Sequence, residues 1–463
     1  MLRKSSSASL GVASTELLGD LVAAAEGVPS IKMVGSPADF YAMPSEGGEL
    51  RPLGHGDMCY IQYSSGSTRF PRGIMISQRS IVSNCRAIIL HGLKMGPEDR
   101  CVSWLPLYHD MGLVGFFITP LMSQISTDYI ATSDFARRPL LWLKVISENS
   151  GTISYSPTFG FDLCARRASN GVGSDYDLSS WRVAGIGAEM IRADVLDRFA
   201  EKFAPSKFRR TAFVPSYGLA ESTLAVSFAP LNEGYQVDRV DKKQYSTTGL
   251  AVPPKGNGSA PKSDVREFVH CGVPMPGHSL EIRDDDGNIL GERRIGRVLI
   301  KSASVMAGYF TDKETTERVL LGDGWLETGD LGYLVDNSLI ITGRAKDLII
   351  FNGRNIWPQD IEWAVDRLEG LRRGDVAAFS LTPPSGSETV VVVVQCRVSD
   401  QEQRDRLRTE IRSTVRRTVG VDCEVVLAPT RSLPLTSSGK LSRTWTRENY
   451  LSGKYADAIR DPE

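Results

Sequence analysis

The stretch Tyr63-Ser64-Ser65-Gly66-Ser67-Thr68-Arg69-Phe70-Pro71-Arg72-Gly73 gathers small residues, hydroxyls and two cations between two apolar runs, 58–61 and 73–76. Small residues let backbone N–H groups converge on an anion, hydroxyls add donors, and Arg69 or Arg72 offsets negative charge. The pattern reads as a phosphate cradle on a loop between two strands. It is not a Walker loop, because the Gly-x-x-x-x-Gly-Lys-Ser/Thr spacing is absent. Taken alone, such a stretch is more often an ordinary solvated turn, so its meaning rests on what stands downstream. Metal chemistry built from protein ligands alone is not indicated: the five histidines are scattered, without a His-Glu-x-x-His pattern. The seven cysteines are far apart, odd in number and without Cys-x-x-Cys spacing, which argues against a disulfide framework and a zinc site and fits a reducing compartment.

The chain that must position these groups has 463 residues, too many for one compact core, so two or more domains are expected. A hydrophobic fraction of 41% and a charged fraction of 24% are those of a soluble globular protein. A net charge of -1 gives no reason to expect nucleic acid or an anionic membrane as partner. Nowhere do eighteen apolar residues run together, so a cytoplasmic protein without a membrane span is expected. From residue 58 to about 230, apolar runs (101–105, 152–155, 211–214) alternate with amphipathic segments (140–147, 193–203), the rhythm of a layered α/β domain with sites on loops at strand ends. Residues 232–266 break the rhythm and read as a polar surface-loop insertion. A smaller domain begins near Arg344-Ala345-Lys346-Asp347. It contains an Asn352-Gly353 turn, a helix opened by Pro358, a β-branched strand at 390–394, a charged helix at 400–419 and a strand at 424–427.

Several separated motifs then occur in the order of one family. Tyr63 to Gly73 resembles the phosphate loop of the adenylate-forming superfamily, which comprises acyl-CoA synthetases, nonribosomal-peptide adenylation domains and luciferases; Arg69 replaces a Gly and Arg72 a Lys. Ser103-Trp104-Leu105-Pro106-Leu107-Tyr108-His109-Asp110-Met111-Gly112 is similar to the fatty acyl-AMP ligase form of its motif. Gly187-Ala188-Glu189 resembles the turn along adenine, and Ser216 with Tyr217-Gly218-Leu219-Ala220-Glu221-Ser222-Thr223 the main nucleotide motif. Gly324-Trp325-Leu326-Glu327-Thr328-Gly329-Asp330-Leu331-Gly332, Thr342-Gly343-Arg344-Ala345-Lys346-Asp347 and Leu433-Pro434-Leu435-Thr436-Ser437-Ser438-Gly439-Lys440 resemble the ribose, hinge and catalytic-lysine motifs.

The resemblance implies a large layered α/β domain over 1–343, with the insertion at about 232–266 and part of its first subdomain unaccounted for, since 62 residues precede the loop where the family has well over a hundred. It implies a hinge at 344–347, with Lys346 or Asp347 as pivot, and a mobile α+β lid domain over 348–463. It implies ATP and Mg²⁺ as cofactors. Ser64, Ser65, Gly66, Ser67, Thr68, Arg72, Gly187, Ala188, Glu189, Ser216, Tyr217, Gly218, Ala220, Asp330 and Arg344 would hold the nucleotide. Lys440, Glu221 and His109 would be catalytic, with Glu221 holding the metal. The implied reaction is that of an acid-thiol ligase: a fatty acid becomes an acyl-adenylate, then passes to the phosphopantetheine thiol of an acyl carrier protein or polyketide synthase. The alternatives are transfer to free CoA, or a weakly active nucleotide- or carrier-binding remnant. The insertion, which resembles a brake on domain rotation, and Gly353-Arg354-Asn355-Ile356-Trp357-Pro358-Gln359-Asp360-Ile361-Glu362 are nearer the acyl-AMP ligase form than the CoA ligase form.

Overall fold

The computed structural model describes residues 8–44, 52–63, 71–168, 175–255, 261, 264–351, 354–372, 374–381, 388–398, 400–436 and 439–455. The expected phosphate cradle at Ser64, Ser65, Gly66, Ser67 and Thr68 and the Asn352-Gly353 turn lie outside the described residues.

Two sequence periods build the large lobe. Ile153–Ser156 and Val183–Ile186 are buried at every position, as strands covered on both faces must be. Between strands, apolar residues recur at helical spacing: Val195, Leu196, Phe199, Ala200 and Phe203 form the buried face of Ala193–Phe203. The product is a seven-stranded sheet ordered Val273–Pro274, Ala225–Phe228, Phe213–Gly218, Val183–Ile186, Ile153–Ser156, Cys101–Ser103, Thr127–Tyr129. The five strands from Phe213–Gly218 to Thr127–Tyr129 are parallel, and the other two close the edge antiparallel. Trp142, Phe161, Trp181 and Phe199 meet edge-on beside it at centroid distances of 5.1–5.3 Å. Each ring buries about 150–250 Å², so this cluster anchors the lobe.

A four-stranded antiparallel sheet follows, ordered His278–Arg283, Gly296–Ser302, Leu326–Val335, Ser338–Arg344. The phosphate-loop hairpin, Met58–Tyr63 with Gly73–Ser77, is completed by a third strand, Gly308–Tyr309. In the C-terminal lobe the run Val390 to Val394 is fully buried in the strand Thr389–Gln395. That strand pairs antiparallel with Val376–Leu381 and, across the helix Gln401–Val419, parallel with Cys423–Ala428. The Asp400 side chain caps this helix by accepting from the Gln403 amide at 2.9 Å, and Gly420 ends it at φ +71°.

The stretch at 232–266 departs from the expected surface loop. Val237–Asp241 pairs antiparallel with Val265–Val269, and Lys242–Thr248 is a helix capped by Asp241. Its polar average conceals Val240 and Tyr245, which with Phe268 just beyond it are buried against Tyr333, Ile340 and Trp357 in a core of their own. Burying those side chains, at about 1.5–3 kcal/mol each, outweighs the loop-forming tendency of their neighbours. The packing also joins this stretch to the C-terminal lobe: Tyr245 and Trp357 lie 4.1 Å apart, and Lys242 donates to the Thr418 carbonyl. All seven cysteines are free.

Candidate active site

Tyr217 stands near the carboxyl end of Phe213–Gly218, and Gly187, Ala188 and Glu189 follow the neighbouring parallel strand Val183–Ile186. Carboxyl ends of parallel strands are where α/β sheets place their ligand crevices. The Ser216 hydroxyl donates to the Ile186 carbonyl at 3.3 Å and ties the two turns together. Ala188 has φ +69°, a conformation costly for a residue with a Cβ and concentrated at functional turns. Position 218 requires glycine, because a Cβ there would lie 1.8 Å from the Leu224 carbonyl oxygen.

Strand pairing sets the next group. Asp330 and Arg344 are direct cross-strand partners, so their side chains meet, Arg344 Nε lying 3.3 Å from Asp330 Oδ1. The Tyr217 hydroxyl donates to the other oxygen of Asp330 at 2.7 Å. Asp330 raises the pKa of Arg344, while burial raises that of Tyr217. Glu221 lies one short turn beyond Tyr217. Burial raises its pKa, and a 2.9 Å hydrogen bond donated by Tyr309 opposes that rise. Arg72 pairs with Asp312 at 3.4 Å and sits 5.5 Å from the Tyr309 ring centre.

His109 and Asp110 border the same space, with His109 Nδ1 2.7 Å from Asp110 Oδ1. The Gln62 amide donates to the Tyr108 carbonyl at 2.7 Å, which fixes this segment against the phosphate-loop hairpin. Lys440 enters from the C-terminal lobe on a tight turn, its carbonyl accepting from the Thr436 amide at 2.7 Å. Burial lowers the pKa of Lys440, and the carboxylates of Asp110, Glu189 and Asp330 act against that loss of charge. Behind it, Asp347 accepts from Arg443 at 2.9 Å. Burial also lowers the pKa of Lys346. Gly343, at φ +153°, lets Trp357 approach: a Cβ there would be 2.9 Å from its ring.

Most of these groups, from Arg72 to Lys440, line one cavity of about 1860 Å³. Every described candidate from the sequence borders it: Arg72, His109, Gly187, Ala188, Glu189, Ser216, Tyr217, Gly218, Ala220, Glu221, Asp330, Arg344, Lys346, Asp347 and Lys440. Sequence reasoning passed over two others. Asp110 sits inside a quoted motif but gained weight only from its place beside His109 and near Lys440. Tyr309 lies 88 positions from the Glu221 it touches, with no motif to mark it. Thr158 also borders the cavity, where it presents a buried hydroxyl that has no partner among the described residues.

Residues 11–310 match the family model for AMP-binding enzyme. A Caulobacter vibrioides protein that carries the name acyl-CoA synthetase is 48% identical over 418 residues, covering 90% of this chain and 72% of its own length. This chain belongs to the AMP-binding enzyme family. A medium-chain-fatty-acid acyl-carrier-protein ligase of Moorena producens is 34% identical to this AMP-binding enzyme, over 86% of the present chain and 68% of the relative. A solved structure from work on fatty acyl-adenylate ligases of E. coli and L. pneumophila superposes with TM-score 0.92 at 44% identity, covering 99% of this chain and 81% of that one. The fold is therefore the mixed α/β architecture of adenylating ligases, and the chain is a ligase.

The cavity suits the family's nucleotide. An aromatic wall at Tyr217, a buried carboxylate at Asp330 and two cations, Arg344 and Lys440, line the same space. Among the described residues no group of three or more His, Cys, Asp or Glu side chains could hold a metal unaided. A magnesium ion here would be held by Glu221 together with phosphate oxygens, which suits a hard cation that keeps few protein ligands. No helix among the described residues is long and apolar enough to cross a membrane.

Proposed function

We propose that this enzyme activates a fatty acid with ATP to an acyl-adenylate and passes the acyl group to the phosphopantetheine thiol of an acyl carrier protein or polyketide synthase. The observation that carries the reading is the entry of Lys440, from the C-terminal lobe, into the cavity that holds Tyr217, Glu221 and Asp330. In the first step a carboxylate oxygen forms a bond to the α-phosphorus as the bond to the bridging oxygen of pyrophosphate breaks. Such transfers depend on positioning and charge neutralisation rather than on a protein proton donor. Lys440 and Arg344 supply positive charge at the reacting phosphate, Asp330 accepts from the ribose hydroxyls, and Tyr217 covers the adenine. A bound magnesium ion would neutralise developing phosphate charge. Ile88, Leu93, Phe116, Leu224 and Phe228 line the same cavity and offer an apolar wall to an acyl chain.

The division of labour runs over a body at 1–343, a pivot at 344–347 and a lid at 348–463. The insertion, packed on Trp357 of the lid, would restrain the rotation that a CoA ligase needs, and the Moorena relative supports a carrier-protein acceptor. The test is product identification: C8 to C16 acids are incubated with Mg·ATP, then offered holo-carrier protein and CoA in competition. The reading expects acyl-adenylate first and acyl-carrier protein in excess over acyl-CoA. Acyl-CoA as the main product would reassign the acceptor, and no adenylate from any acid would overturn the reading.

A further inference from the structure

Immediately after Glu221 the backbone makes an uncommon turn. Thr223 has φ +68° and ψ -58°, and the Leu224 amide donates to the Ser222 carbonyl at 2.8 Å. This is a γ-turn of the rare, strained hand, built on a β-branched residue. Strain of this kind persists only where the surroundings over-determine it, and here they do. The Thr223 hydroxyl donates to the Ser304 carbonyl at 2.6 Å. Ser304 Oγ lies 2.9 Å from His278 Nε2, 2.6 Å from Ser302 Oγ and 3.2 Å from Ser222 Oγ. Three partners saturate a hydroxyl, which has one donor and two acceptor positions. Ser222, Thr223 and Ser304 are all buried, and none of them lines the cavity. The same segment also holds Glu221 itself: the Met306 amide donates to its carbonyl at 2.8 Å and Tyr309 to its carboxylate at 2.9 Å.

We propose that Ser304, braced by His278, and Thr223 are positioning residues that lock the strained turn and so fix the direction in which Glu221 projects into the cavity. The proposal rests on the reading of Glu221 as the magnesium-binding carboxylate. Removing the brace leaves the carboxylate present but free to point elsewhere, so the loss falls on metal-dependent nucleotide binding and spares the adenine and ribose contacts. Groups that orient a metal-binding side chain typically change metal affinity about 10–100-fold when removed.

The experiment is calorimetric titration of the full chain with ATP in excess Mg²⁺ and with AMP in the absence of metal. Thr223→Val and Ser304→Ala should weaken Mg·ATP binding by about tenfold or more while AMP affinity stays within about twofold. His278→Gln, which keeps a donor at the same reach, should behave like wild type, and His278→Leu like Ser304→Ala. Thr223→Gly suits the backbone conformation and guards against misfolding; it should show the same selective loss. Glu221→Gln is the reference. If it weakens Mg·ATP binding while Thr223→Gly and Ser304→Ala do not, the positioning proposal is overturned and the reading of the site stands. If Glu221→Gln leaves Mg·ATP binding unchanged, the metal-binding reading itself is overturned, and the proposal with it.

Discussion

Arg266 offers the most direct handle on the proposal that the C-terminal lobe is a lid held by the insertion. It lies on the insertion strand Val265–Val269, its side chain only 5% exposed, and pairs with Asp360 of the helix Pro358–Val365, which is 15% exposed. Its guanidinium sits 4.8 Å from the Phe268 ring centre, 5.4 Å from that of Tyr245 and 5.6 Å from that of Trp357. Arg266→Met keeps most of the packing and strands Asp360 without its cation. Breaking a buried pair from one side costs about 3–5 kcal/mol. At about 1.4 kcal/mol per factor of ten, the lower figure moves the ratio of docked to released lid by roughly 150-fold. Arg266→Met with Asp360→Leu should recover most of the loss, because apolar replacement of a buried pair is often close to neutral. Hydrogen exchange reads this directly: amides of 354–365 and 237–248 should exchange faster in the single variant and return toward wild type in the double. The yield of acyl-CoA relative to acyl-carrier protein should rise in the single variant. Unchanged exchange at 354–365 in Arg266→Met would refute the idea that this pair fastens the lid.

Three further outcomes follow from the cavity. Asp330→Asn removes the charge that Tyr217 and Arg344 both address, and hydrogen bonds to charged groups contribute about 1.5–3 kcal/mol, so the KM for ATP should rise about tenfold or more in steady-state assays. Tyr309→Phe strips Glu221 of the hydrogen bond that opposes its raised pKa. The carboxylate is the metal-binding form and is lost as pH falls through that pKa, so the acid limb of the pH–rate profile should move to higher pH, by calorimetry in the binding of Mg·ATP as well. Burial places the pKa of Lys440 below the ordinary 10.5, so adenylation should fall as pH rises through that lowered value. Lys440→Arg keeps its charge throughout, and its profile should lack this alkaline limb.

The parallel sheet was legible because its strands and helices obey clean periods: the run read at 152–155 is the strand Ile153–Ser156, one residue on, and the segment 193–203 is the helix Ala193–Phe203. The C-terminal lobe was legible for the same reason, from Pro358 at a helix start and the β-branched run at 390–394. The insertion was not. Val240, Tyr245 and Phe268 are few among polar neighbours, and their burial depends on Trp357, about a hundred residues away, which no local window can weigh. The site divides along the same line. Tyr217, Glu221, Asp330 and Lys440 stood out as parts of motifs, whereas Tyr309 and Ser304 act through contacts with residues more than 80 positions distant and carry no local signature.

The central claim is that a lysine from the C-terminal lobe acts on a nucleotide seated in the large lobe. Pyrophosphate release with C8 to C16 acids, wild type against Lys440→Ala, tests it at its root, with AMP binding measured in parallel to show that the body is intact. Lys440→Ala should bind AMP like wild type and lose pyrophosphate release by about a hundredfold or more, the size of effect seen when one charge-stabilising group is removed from a reacting centre. Equal rates of release in the two proteins would contradict it.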